Sequence, residues 1–166
     1  LLTSTQSPSF TRIAVQNTVG SGIEGTSVTN FTLQNSFIDN SGTGGAADDS
    51  NVAFNDQAAG TERNVSGTLT VTNNILTNGR WHGLMVQNFN GTLDDAIVTG
   101  NTITSTTSLA SSLGYGINFQ VLGSAGTVSN LTKANISGNT VTNFPSAGGI
   151  QVQGGNSNAA GVAGIL

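Results

Sequence analysis

The chain has 166 residues, of which 36% are hydrophobic and only 7% charged, with a formal net charge of −4 and no cysteine. Four basic residues leave no electrostatic footprint for nucleic acid, no long apolar run offers a membrane-spanning helix, and the lack of cysteine removes disulfides, thiolate metal sites and cysteine nucleophiles. Scarce charge with abundant Asn, Thr, Ser and Gly, while Val, Ile and Leu recur at fixed offsets, argues against disorder and favours stacked β-structure over a helix bundle.

In chain order, a degenerate extended stretch at Ile13 to Val19 precedes two interleaved ladders. The first ladder is a Gly or Asn followed by alternating apolar residues: Gly22-Ile23, Asn51-Val52-Ala53-Phe54, Gly83-Leu84-Met85-Val86, Gly116-Ile117-Asn118-Phe119 and Gly149-Ile150-Gln151-Val152. The second is a strand, a two-residue corner and a strand, at Phe31 to Ile38, Leu69 to Leu76, Ala96 to Ile103 and Ala134 to Val141. In its last copy Ala134 and Ile136 share a face, Gly138-Asn139 tolerates the positive φ of a sharp bend, and Thr140-Val141-Thr142 resumes an extended run.

Each period then holds three short strands and three turns, one coil of a solenoid whose rungs stack in parallel at roughly 4.8 Å. Coils starting near 22, 51, 83, 116 and 149 give about five in a single domain spanning 1–166, read as a segment of a longer chain. Length variation goes into long turns at 40–50, 55–68, 87–95, 105–115 and 120–133, while the corner between the second and third strands keeps its length. The Asn78-Gly79 and Asn90-Gly91 pairs keep an antiparallel alternative open, because such pairs close tight hairpins.

The runs Val98-Thr99-Gly100-Asn101-Thr102-Ile103 and Ile136-Ser137-Gly138-Asn139-Thr140-Val141, each followed by its Gly-Ile-x-apolar segment, make the chain resemble the pectate-lyase-like superfamily. That resemblance covers about residues 13 to 153 and implies an all-β fold, a right-handed parallel β-helix (solenoid) of about five coils of three short strands. It also implies a stacked corner ladder of Ser36, Asn74, Asn101 and Asn139, with Ser36 departing from the Asn pattern. Gly25 departs too, standing where later coils place Val86, Phe119 or Val152. The superfamily hosts lyases, hydrolases, adhesins and structural surface proteins, so the resemblance bears on fold more than on activity.

Parallel stacking makes residues one period apart neighbours, which groups the few charges. Asp48 and Asp49 come to lie one coil below Arg80, Trp81 and His82, a set able to stack on a sugar ring and bind its hydroxyls or carboxylate; the alternative is an edge-covering Trp and a solvated His. Asp56, Glu62 and Arg63 fall beside Asp94 and Asp95 in first-corner loops, where hard carboxylate oxygens could hold Ca²⁺ or work as acid and base; otherwise no cofactor is implied. Lyase chemistry would call on Arg80 or Lys133 as the base.

The leading expectation is a non-catalytic structural or adhesive segment of a large secreted or cell-surface protein, placed outside the cell. Its expected partners are a polysaccharide or cell-surface ligand, and either other coils of the same chain or other copies joined end to end. The alternative is a carbohydrate-active β-helix, a polysaccharide lyase or glycoside hydrolase fragment or a polysaccharide-binding module.

Overall fold

The computed structural model describes residues 1–46, 48–56, 58, 61–105, 114–124, 126–144, 147–156 and 162–165. In chain order, β1 (Leu2–Thr3), β2 (Ser9–Thr11) and β3 (Ala14–Thr18) form a first coil, followed by β4 (Ile23–Thr26), β5 (Val28–Gln34) and β6 (Phe37–Ser41). The third coil is β7 (Val52–Phe54), β8 (Val65–Thr72) and β9 (Ile75–Thr77), and the fourth is β10 (Leu84–Asn88), β11 (Gly91–Thr99) and β12 (Thr102–Thr104). A fifth contains β13 (Tyr115–Gly123), β14 (Val128–Leu131), β15 (Ala134–Ser137) and β16 (Thr140–Thr142), and β17 (Gly148–Asn156) and β18 (Val162–Ile165) begin another.

Strands from equivalent positions pair into three sheets of six, seven and five strands, ordered β1-β4-β7-β10-β13-β17, β2-β5-β8-β11-β14-β18 with β15 also on β11, and β3-β6-β9-β12-β16. Every pairing among the described residues is parallel, so the chain is an all-β parallel β-helix. The antiparallel alternative fails at the two Asn-Gly pairs themselves. Asn78 (φ 53°) and Gly91 (φ 79°) use positive φ to turn corners of the coil and close no hairpin.

The register follows the apolar columns. Val52, Leu84 and Ile117 stack at one position of the first sheet, and Ile38, Leu76, Ile103 and Val141 at one position of the third. Leu33, Val71, Val98 and Ile136 do the same in the second sheet, and the members in the middle coils are fully buried. Gly25 breaks its column because a neighbour needs the space: a Cβ there would lie 2.6 Å from Cε1 of Phe54. Phe54 in turn meets Phe31 edge-on at 5.0 Å, and Phe31 meets Phe10 at 6.1 Å. Core volume that a side chain at 25 would supply comes from this aromatic stack.

Three expectations need correction. The solenoid begins a coil earlier than Gly22: Leu2, Phe10, Ile13 and Val15 pack against the core from a first coil whose strands are only two to five residues long. The strands are also longer than their apolar runs, since outward Thr, Ser and Asn still pair their backbones; Asp94 and Asp95 lie within β11 and the loop before it shrinks to Phe89-Asn90. Finally, the middle strands of the first sheet are covered on both faces, although Glu24 and Gln151 toward its ends are not buried. Ala53, Met85 and Asn118 alternate with core residues and so face away from the axis, yet they are buried. Most of the long turn expected at 105–115 lies outside the described residues, as do parts of the one at 55–68.

Candidate functional site

The tight corner between the second and third sheets is built from two repeating positions. Asn35 (φ 51°), Asn73 (φ 56°), Gly100 (φ 67°) and Gly138 (φ 63°) take the left-handed conformation that reverses the chain. The next residue points its side chain along the stack. Asn74 Oδ1 accepts the Ser36 N–H (2.9 Å), Asn101 Oδ1 accepts the Asn74 N–H (2.9 Å), and Asn139 Oδ1 accepts the Asn101 N–H (3.0 Å). Their Nδ2 groups donate to the carbonyls of Leu33, Val71 and Val98, so the amides satisfy backbone groups that the bend strips from the sheets. Ser36 keeps part of this pattern, its Oγ accepting the Ile13 N–H at 3.2 Å.

A second amide pair sits at the corner between the first and second sheets. Asn88 Oδ1 accepts the N–H groups of Asn64 (2.9 Å) and Val65 (3.1 Å), and Asn64 Nδ2 donates to the Gln87 carbonyl (2.7 Å). Nothing in the corner-ladder pattern signals it, because Asn64 and Asn88 occupy turns of different length.

Asp49 does lie one coil from Trp81 and beside Arg80, but neither Asp48 nor Asp49 joins Trp81 and His82 in lining a groove. Asp49 accepts the Trp81 N–H through its backbone carbonyl at 2.8 Å, and the side chains of Asp49 and Arg80 pack against Gly42. Burial, then repulsion from Asp48 and Glu24, raises the Asp49 pKa, and Arg80 opposes this only in part. Asp48 instead lines a separate groove of about 610 Å³ with Glu24, Asp56 and Asn55.

The carboxylates considered for a metal are dispersed as well. Asp56 Oδ1 caps the Ala58 N–H (3.0 Å), Glu62 Oε2 accepts the Thr61 N–H (2.8 Å), Asp94 is exposed, and Asp95 pairs with Lys133 at 3.0 Å. Among the described residues no three His, Asp or Glu side chains converge on a metal position.

Trp81 and His82 belong to a groove of about 370 Å³ whose other walls are Tyr115, Asn118, Gln120, Ala147 and Gln151. The Trp81 and His82 rings are 4.3 Å apart, and the Tyr115 ring lies 6.0 Å beyond His82 and nearly parallel to it, at 14°. Stacking places the His82 and Tyr115 backbones one coil apart, and the Tyr115 N–H donates to His82 Nδ1 at 2.8 Å. An acceptor Nδ1 leaves the proton of the neutral ring on Nε2, which faces the Asn118 carboxamide at 3.5 Å. His82 is completely buried, and burial pushes its pKa down to about 4.

Sequence reasoning missed Tyr115 and Gln120, which it placed in turns and which belong to β13, and Asn118 and Gln151, which hold outward positions of strands whose inward positions were already aligned. Gln87 and Gln120 are stacked in register and bonded through their amides. Comparison of the chain with family models, with curated proteins and with solved structures gives no match. Functional inference therefore rests on the geometry.

Proposed function

We propose that this chain is a non-catalytic, structural or adhesive segment of a secreted or cell-surface protein, with the architecture of the pectate-lyase-like superfamily. The observation that carries this reading is that three groups suited to acid–base chemistry, Asp39, Asp95 and His82, are bonded to neighbouring coils. Asp95 is paired with Lys133, Asp39 accepts from Thr77 Oγ1 (2.6 Å) and Asn78 Nδ2 (2.9 Å), and His82 is buried, neutral and committed through Nδ1 to the backbone. A general base must reach a substrate proton from a position near solvent, and these groups are turned to neighbouring coils.

Continuous parallel pairing and amide ladders make a stiff rod, which suits a stalk or a display surface. Ile150 (49% exposed) and Val152 (43% exposed) continue the interior columns, and contact of that face with further coils of the same chain or with another copy belongs to the same reading.

Incubation with neutral and acidic polysaccharides tests the proposal. No new reducing ends and no unsaturated products are expected. Cleavage that disappears in Arg80→Ala or Asp95→Ala would establish the carbohydrate-active alternative.

A further inference from the structure

Among the grooves, patches and buried polar groups of the molecule, the groove at Trp81 and Tyr115 combines aromatic walls, no formal charge and a buried amide oxygen without a partner. We propose that this groove binds a neutral saccharide, a chain of hydroxyl-bearing rings without carboxylate or sulfate groups. The inference rests on the non-catalytic reading above and names what its surface recognises.

The partly exposed rings of Trp81 and Tyr115, held on either side of buried His82, supply aromatic surface against which the C–H face of a pyranose packs. The carboxamides of Asn118, Gln120 and Gln151 supply both donors and acceptors, which is what a hydroxyl requires of its partners. One amide oxygen of the lining is left over: Asn118 is 2% exposed and its Oδ1 is buried without a partner. A buried acceptor without a donor costs free energy until a donor reaches it, and a sugar hydroxyl is such a donor.

The Asn118 amide also has two settings. Its Nδ2 now faces the protonated Nε2 of His82, two donors opposed at 3.5 Å; rotated by half a turn, its oxygen would accept from Nε2 and its NH₂ would face the groove. Either setting leaves one polar atom for a hydroxyl.

Charge decides the class of ligand. Among the described residues the lining holds no Arg, Lys, Asp or Glu, and its one His is neutral. A uronate, a sulfated sugar or a nucleotide phosphate would bring an anion into a groove that offers no cation, at a desolvation cost that a neutral ring avoids.

Titration calorimetry with cellohexaose, xylohexaose and mannohexaose, with trigalacturonate as the acidic control, tests the site. Emission of Trp81, the chain's single tryptophan, gives a second readout. At least one neutral hexasaccharide should bind with a micromolar to millimolar Kd and shift that emission, and trigalacturonate should not bind. Trp81→Ala should weaken binding by at least about tenfold. Gln151→Ala, at a half-exposed position, should weaken it several-fold without changing Tm, and decides the matter if Trp81→Ala fails to fold.

Three outcomes overturn the site: no binding of any neutral hexasaccharide, preference for trigalacturonate, or affinity unchanged in the Gln151 variant. These leave the scaffold reading standing. Binding accompanied by cleavage keeps the site and overturns the non-catalytic reading instead.

Discussion

Two sets of carboxamides on this solenoid are finished differently. At the corner between the second and third sheets, Asn101 uses both ends of its amide: Oδ1 accepts the Asn74 N–H, and Nδ2 donates to the Val71 carbonyl and to Asn139 Oδ1. On the outward face of the first sheet, equally buried Asn118 touches one partner at 3.5 Å and leaves Oδ1 bare. Burial is the same and satisfaction is not, which separates an amide that builds the coil from one held available for something else. The bend strips the ladder's backbone of sheet partners, so the side chain must replace them. The strands β10, β13 and β17 already pair their own backbones, so Asn118 has no such duty.

Removing a ladder amide should have the largest effect. Asn101→Leu keeps the volume and strands a buried N–H and a buried carbonyl, each costing about 1–3 kcal/mol, for a total of roughly 3 kcal/mol or more. Urea denaturation would show this as a lower midpoint. A loss under about 0.5 kcal/mol would mean that the corner holds without its ladder.

The corner was legible in sequence because an Asn or Ser follows a turn-forming residue at constant distance from two apolar runs, at 36, 74, 101 and 139, and the resemblance implied that these side chains stack as a ladder. A repeated local bend leaves a repeated local signature. The groove carries none: Trp81 and His82 stand out by residue type, but Tyr115 and Gln120 fall at the edges of expected turns, and Asn118 and Gln151 look like ordinary solvent-facing positions of alternating strands. Of the first coil only its third strand was legible, as the extended stretch at Ile13 to Val19, since β1 is a two-residue strand and the apolar residues of that coil have no regular spacing.

Acid should strain the groove side of the comparison next. His82 has a folded pKa of about 4 against an unfolded value of 6.5, so the unfolded chain binds the proton more tightly. The stability due to its neutral form is fully present above pH 6.5 and lost as pH falls toward 4, about 3 kcal/mol over that window. Unfolding free energies measured from pH 7.5 down to about 4 should fall with that slope in the native chain and more gently in His82→Gln. Equal slopes would mean that His82 titrates alike in both states.

The smallest effect on stability should come from Asn118→Leu, and it sharpens the comparison most because it repeats at the groove the substitution made in the ladder. Leucine removes an amide whose contact to His82 Nε2 is long and whose oxygen bonds to nothing, and it adds apolar surface beside Met85, its fully buried neighbour in register. The lost polar contact and the gained packing offset one another, so the unfolding free energy should stay within about 1 kcal/mol of the native value or rise. Saccharide affinity should nevertheless fall by at least about tenfold, because a hydroxyl entering the groove would then meet methyl groups. A stability loss as large as that of Asn101→Leu would show that Asn118 belongs to the scaffold, and the contrast between the two amides would collapse.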